Sequence, residues 1–133
     1  MKLDVTSKGR EVEEVVQKAT NVWGRIDILV NNAGFALLGA FEAFSDSDCR
    51  SQMETNFFAP MNLVRLILPG MRERKSGTIV NMSSTAGIVA NPSRSLYSAS
   101  KFALEAFSEA LSGEVEPVCI SQGRRKKDGE RIS

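Results

Sequence analysis

The chain has 133 residues, 42% apolar and 25% charged, which is ordinary for a soluble globular protein and enough for one domain with a core. It contains no histidine, so Ser-His triads, histidine general acids and the commonest zinc sites are excluded; acid/base chemistry must use Tyr, Lys, Cys or a carboxylate. Its net charge of +1 conceals a basic end, with Arg124, Arg125, Lys126, Lys127 and Arg131 in a pattern that suits a solvated tail better than a nucleic-acid face.

Residues 2–6 read as the end of a strand, with Thr6 or Ser7 placed to cap the next helix. Val12, Val15, Val16, Ala19, Val22 and Trp23 follow helical spacing, which predicts one buried face, and Gly24 stops the helix. Ile26–Val30 is a nearly continuous apolar run, as expected of a parallel strand covered on both faces. Asn31-Asn32-Ala33-Gly34 follows at its carboxyl end, then a loop rich in Phe, Leu and Gly. Ser45 caps a second helix whose acids Asp46 and Asp48 suit the positive dipole end, and whose pattern runs to about Arg74 with Pro60 inside it. Thr78–Met82 is a second buried-type strand ending at Ser83-Ser84, and Leu96–Ser112 is a third helix. The alternation predicts an α/β fold with a parallel, doubly wound sheet, and ligands in such sheets bind beyond the carboxyl ends of the strands.

No apolar run approaches the ~20 residues that span a bilayer, and the Met1–Asp4 start has no apolar leader, so a soluble, cytoplasmic protein without membrane or nucleic-acid partners is expected. Cys49 and Cys119 have no metal-type spacing, and unpaired thiols are expected. No metal site is expected.

Tyr97 and Lys101 stand four apart at the start of a helix, so their side chains share a face. An ammonium beside a phenol favours the phenolate and equips the pair to move a proton. Such pairs also occur by chance on helix surfaces. Ser84, thirteen residues before Tyr97, could hydrogen-bond a substrate carbonyl or simply satisfy its own loop. Pro60 lacks the N–H that would bond the carbonyl of Asn56, leaving that carbonyl free for an ordered water or merely kinking the helix. Ala33 and Gly34 allow close approach of a ligand to the backbone, although Asn-Asn and Gly also form turns.

Singly these signals are weak. In this order they are specific, and the chain resembles the short-chain dehydrogenase/reductase family over about residues 3–117. The resemblance rests on Leu3-Asp4-Val5-Thr6, Asn31-Asn32-Ala33-Gly34, Asn56, Ser84 and Tyr97-Ser98-Ala99-Ser100-Lys101, with the thirteen-residue interval from Ser84 to Tyr97. It implies a Rossmann-like domain, NAD or NADP as cofactor, and hydride transfer between the nicotinamide and a carbonyl or secondary alcohol. It further implies that Tyr97 is the acid/base, that Lys101 lowers its pKa and binds the nicotinamide ribose, and that Ser84 polarises the substrate oxygen. Asn56 would hold, through its main chain, a water relaying protons to Lys101. Asp4 would contact the adenine, Val5 its backbone surroundings, and Asn32, Ala33 and Gly34 the adenine-side ribose and the sheet.

The pattern also departs from the family. The glycine-rich turn T-G-x-x-x-G-x-G, whose helix end binds the pyrophosphate, does not occur in these residues. The family strand order 3-2-1-4-5-6-7 then leaves residues 2–6 without a partner, exposes an edge at Ile26–Val30, and keeps only the pairing of Ile26–Val30 with Thr78–Met82. Residues 118–133 read as a non-family, disordered basic tail after a partial domain at 1–117. The expectation is a fragment truncated at both ends; a non-catalytic chain that pairs with a complete homologue is the alternative. Residues 35–41 and 85–96 would line part of the pocket and suit an uncharged small-molecule substrate. The family's dimer helices correspond to 46–74 and 96–112, which makes a homo-oligomer possible.

Overall fold

Two short apolar runs, each followed by polar residues, become parallel neighbours. In the computed structural model, which describes residues 2–7, 10–115 and 118–122, strand β1 (Ile28–Asn31) pairs with β2 (Thr78–Asn81) so that Leu29 lies beside Ile79 and Asn31 beside Asn81. A third parallel strand, β3 (Cys119–Gln122), pairs with the other side of β2, placing Thr78 opposite Cys119. The sheet order is β1-β2-β3 among the described residues.

The helices are α1 (Glu11–Trp23), α2 (Asp46–Met53), α3 (Ala59–Glu73) and α4 (Ser95–Glu114). They cover one face of the sheet. Ile79 and Asn81 are buried on that face, while Ile28 and Val30, whose side chains point the other way, are exposed. The core gathers Val64, Ile67 and Met71 of α3, Ile79 of β2, and Leu111, Val115 and Val118 around the end of α4. Burial of each such side chain stabilises by roughly 1.5–3 kcal/mol relative to exposure.

Several expectations are corrected. Residues 2–6 form no strand: they have no strand neighbour, and the Asp4 carboxylate instead accepts from the Thr6 N–H at 2.9 Å and the Thr6 hydroxyl at 2.8 Å, which folds a turn. Neither Thr6 nor Ser7 caps α1, which starts after Arg10 without a side-chain cap. Gly24 does end α1, at φ 79°, a conformation that favours glycine. Val22 and Trp23, expected on the buried face, are each 67% exposed, because no described element covers the last turn of α1. The Ile28–Asn31 strand is covered on one face only, for the same reason.

The helix expected over 46–74 is interrupted. Glu54–Phe58 forms a π turn between α2 and α3, in which the N–H of Ala59 bonds the carbonyl of Glu54. Pro60, the second residue of α3, has no N–H and so asks for no partner in the π turn behind it. The tail expected from 118 is corrected for Val118 and Cys119–Gln122, which join the core and the sheet; residues 123–133 lie outside the described residues, as does Pro117. The thiol of Cys49 is free, as expected.

Candidate active site

The register of β1 and β2 brings Asn31 and Asn81 side by side at the carboxyl end of the sheet. Their buried side chains form a polar ladder: Asn31 Nδ2 donates to Asn81 Oδ1 at 2.8 Å, Asn81 Nδ2 to Ser108 Oγ at 2.7 Å, and Ser108 Oγ to the Leu104 carbonyl at 2.7 Å. The ladder ties both strands to α4 and fixes the height of that helix over the strand ends.

Above it, the loop leaving β1 is clamped to α2 and the π turn that follows it. Asn56, fully buried in the π turn, accepts from the Phe35 N–H at 3.1 Å and donates to the Phe35 carbonyl at 2.9 Å. Its Nδ2 also donates to Ser100 Oγ at 3.0 Å, and that hydroxyl bonds the Tyr97 carbonyl at 2.7 Å. Gln52 adds a second clamp, donating to the Phe35 carbonyl at 2.6 Å and accepting from the Leu37 N–H at 2.8 Å. Gly34 is held so closely that a Cβ there would stand 3.1 Å from Asn56 Oδ1 and 3.7 Å from Lys101 Nζ. A side chain at this position would press on the Asn56 amide while only touching Lys101, so glycine eases the close approach of the loop to Asn56.

Lys101 is buried, and its ammonium donates to the Met82 carbonyl at 2.7 Å, just beyond the end of β2. Nζ lies 5.9 Å from the centroid of the Tyr97 ring. Burial pushes the Lys101 pKa below the usual lysine value; the Glu105 carboxylate, one turn further along α4, acts in the opposite direction. Tyr97 itself is half-buried. Ser84 is half-buried and extended; its hydroxyl accepts from the Ala86 N–H at 3.2 Å and so caps the 3-10 turn Thr85–Gly87. The turn's Ala86 and Gly87 pack against α4, where a Cβ on Gly87 would come within 3.1 Å of both the Lys101 carbonyl and Glu105 Cγ.

Tyr97, Lys101, Asn56 and Gly34 therefore come together, with Ser84 on the turn seated against the same helix. Val5, Asn32 and Ala33 form a second group, lining a cleft of about 130 Å³ with Pro60 and Leu63. Asp4 joins neither group: it is exposed, and its carboxylate is held below the usual carboxylate range by the Thr6 N–H and hydroxyl of its own turn.

The sequence reading missed Ser100, Gln52 and the Met82 carbonyl. A signal for the first was present: Ser100, Leu104 and Ser108 recur every four residues, so two hydroxyls share a stripe of α4 with a core leucine. Nothing in the sequence points to a backbone carbonyl such as that of Met82.

Comparison with known proteins identifies the family and the fold. The family described as short chain dehydrogenase matches residues 1–121. A 3-ketodihydrosphingosine reductase from Bacteroides thetaiotaomicron is 42% identical over 124 residues, covering 90% of this chain and 46% of that protein. The solved structure of ElxO with NADP bound superposes with a TM-score of 0.86 at 29% identity, covering 92% of this chain and 50% of that one. A short chain dehydrogenase/reductase from Burkholderia phymatum in complex with NAD gives a TM-score of 0.86 at 28% identity, covering 92% of this chain and 45% of that one. The chain thus spans about half the length of the proteins it matches. Among the described residues no helix is long and apolar enough to cross a membrane.

Proposed function

Because the chain belongs to the short-chain dehydrogenase family, we propose that it forms the proton-transfer part of an NAD(P)-dependent oxidoreductase acting on a carbonyl/secondary-alcohol pair. The observation that carries this reading is the convergence of Gly34, Asn56 and Lys101 beside Tyr97 at the carboxyl end of the sheet.

The residues present fit part of the cofactor. The Met82 carbonyl takes one of the three ammonium donors of Lys101, which leaves donors for ribose hydroxyls. Gly34 keeps the approach to that ammonium free of a side chain. The cleft lined by Val5, Asn32 and Ala33 suits the adenosine side. The glycine-rich turn that would hold the pyrophosphate is not among these residues. When bound, the nicotinamide supplies the hydride in reduction and takes it in oxidation.

In the reductive direction the Tyr97 hydroxyl gives its proton to the substrate oxygen, and the resulting phenolate is stabilised by the Lys101 ammonium one helical turn away. The Ser84 hydroxyl donates to the same oxygen as charge develops there. Asn56 has two parts in this reading: its side chain fixes Phe35 and Ser100, and its main-chain carbonyl holds a water that returns a proton towards Lys101. Two copies pair through 46–74 and 96–112, where Phe58 and Phe102 are exposed.

The test uses this chain joined to the amino- and carboxyl-terminal segments of the Bacteroides thetaiotaomicron reductase. Tyr97→Phe removes the proton donor and keeps the ring, so turnover is expected to fall by about 10²–10⁴ with cofactor affinity retained. Near-normal turnover in the variant would sink the assignment.

A further inference from the structure

We propose that the substrate is a long-chain aliphatic ketone or alcohol, gripped along its chain by an apolar rim built from the two loops that leave β1 and β2. The inference rests on the functional reading above and adds the substrate class.

Six of the twelve large apolar side chains exposed among the described residues are Phe35, Leu38, Phe41, Met82, Ile88 and Val89. All six fall on the two loops that follow the carboxyl ends of β1 and β2. Charge enters only at the far ends of these loops, with Glu42 and Arg94; none occurs from Ala33 to Phe41 or from Met82 to Ser93. Soluble proteins rarely concentrate large apolar side chains at the surface without a ligand or partner to cover them.

The roots of both loops are fixed at the reaction site. The first is held by Asn56 and Gln52 at Phe35 and passes Lys101 at Gly34. The second turns on the Ser84 cap, and its Ala86 and Gly87 are buried against α4, which leaves Ile88 and Val89 outside. The two loops are also joined further out, where the Gly39 N–H donates to the Ser93 carbonyl at 3.0 Å. An apolar surface is thus anchored at one end to Ser84 and Lys101 and extends outward from them. A carbonyl held at Ser84 would have its substituents along this rim. With no charge on the stretches from Ala33 to Phe41 and from Met82 to Ser93 that carry these apolar side chains, the chemistry that fits is an alkyl chain.

The experiment measures binding of a homologous series of methyl ketones, from six to twelve carbons, to the chain as it stands, by saturation-transfer NMR and calorimetry. Affinity is expected to rise roughly two- to fourfold per added methylene. The Leu38→Ser/Val89→Ser double variant should abolish that rise; these side chains are 59% and 58% exposed, so their replacement leaves the core intact. Val22→Ser/Trp23→Ser, at the exposed end of α1, should leave it unchanged. A flat series, or a rise that survives in Leu38→Ser/Val89→Ser, overturns the proposal and leaves the rim as a protein-contact surface. No turnover enters this measurement, so its failure is distinct from failure of the Tyr97 assignment.

Discussion

Asn56 illustrates how much a single buried amide organises. Its oxygen and both nitrogen-borne hydrogens are engaged, by the Phe35 backbone on one side and Ser100 on the other. Asn56→Ala would leave the Phe35 N–H, the Phe35 carbonyl and the Ser100 hydroxyl each short of a partner in a buried setting, and each loss of this kind costs about 1–3 kcal/mol. Ser100 retains its bond to the Tyr97 carbonyl, and Phe35 retains Gln52. The expected destabilisation is therefore about 2–4 kcal/mol, measured by urea unfolding of the chain. A loss below about 0.5 kcal/mol would show that the clamp holds without its amide. The sequence marked Asn56 through the missing N–H of Pro60 and so drew attention to its main chain; the side-chain bonds involve residues 21 and 44 positions away, which no local pattern encodes.

At the scale of elements, α2 is the clearest case of local chemistry setting structure. Ser45 Oγ accepts from the Asp48 N–H at 3.1 Å, and Asp48 Oδ2 accepts from the Ser45 N–H at 2.9 Å and its hydroxyl at 2.7 Å, a complete capping box. Ser45→Ala is expected to cost about 1 kcal/mol, read from the chemical-denaturation midpoint. The same box makes a pH prediction. The Ser45 hydroxyl and N–H hold the Asp48 carboxyl below its ordinary 3.8. A depressed folded value means that the stabilisation is fully present above 3.8 and disappears as pH falls through the folded value. The stability gap between the parent chain and Ser45→Ala should therefore narrow in strong acid. A gap that stays constant down to the acid transition would mean that the Asp48 carboxylate contributes nothing to the cap. The adjoining π turn was not legible: the sequence indicated a disturbance around Pro60, but whether it becomes a kink or a turn of wider bonding depends on what packs beside it.

At the scale of the whole molecule, the parts of the site unequally represent a cofactor-binding surface. Groups proposed for the nicotinamide ribose and the adenosine side are present, whereas the sequence contains no glycine-rich turn of the family's pattern to receive the pyrophosphate charge. Calorimetric titration of this chain alone with NADH and NADPH is accordingly expected to show no micromolar binding. Micromolar affinity would mean that another set of donors holds the phosphates. The exposed Ile28 and Val30 face and the exposed end of α1 lie on the same chain, so the helices that carry Asn56, Tyr97 and Lys101 are well packed while the opposite face of the sheet is bare among the described residues.

The sequence by itself determined the two strands ending near Asn31 and Asn81, the cap at Ser45, the stop at Gly24 and the Tyr97–Lys101 spacing, because each is written in patterns within a few residues. It also pointed to the family, through motifs whose order survives without knowledge of the fold. Tertiary structure alone decided that Val22 and Trp23 stay exposed and that Cys119–Gln122 completes a third strand beside β2. It alone brought Gly34 to Lys101 and joined Asn31, Asn81 and Ser108 into one ladder. The physical reason is common to all of these: a strand exists only with a partner, and burial or a long-range hydrogen bond depends on what the rest of the chain places opposite, which no residue specifies by its own neighbours in sequence.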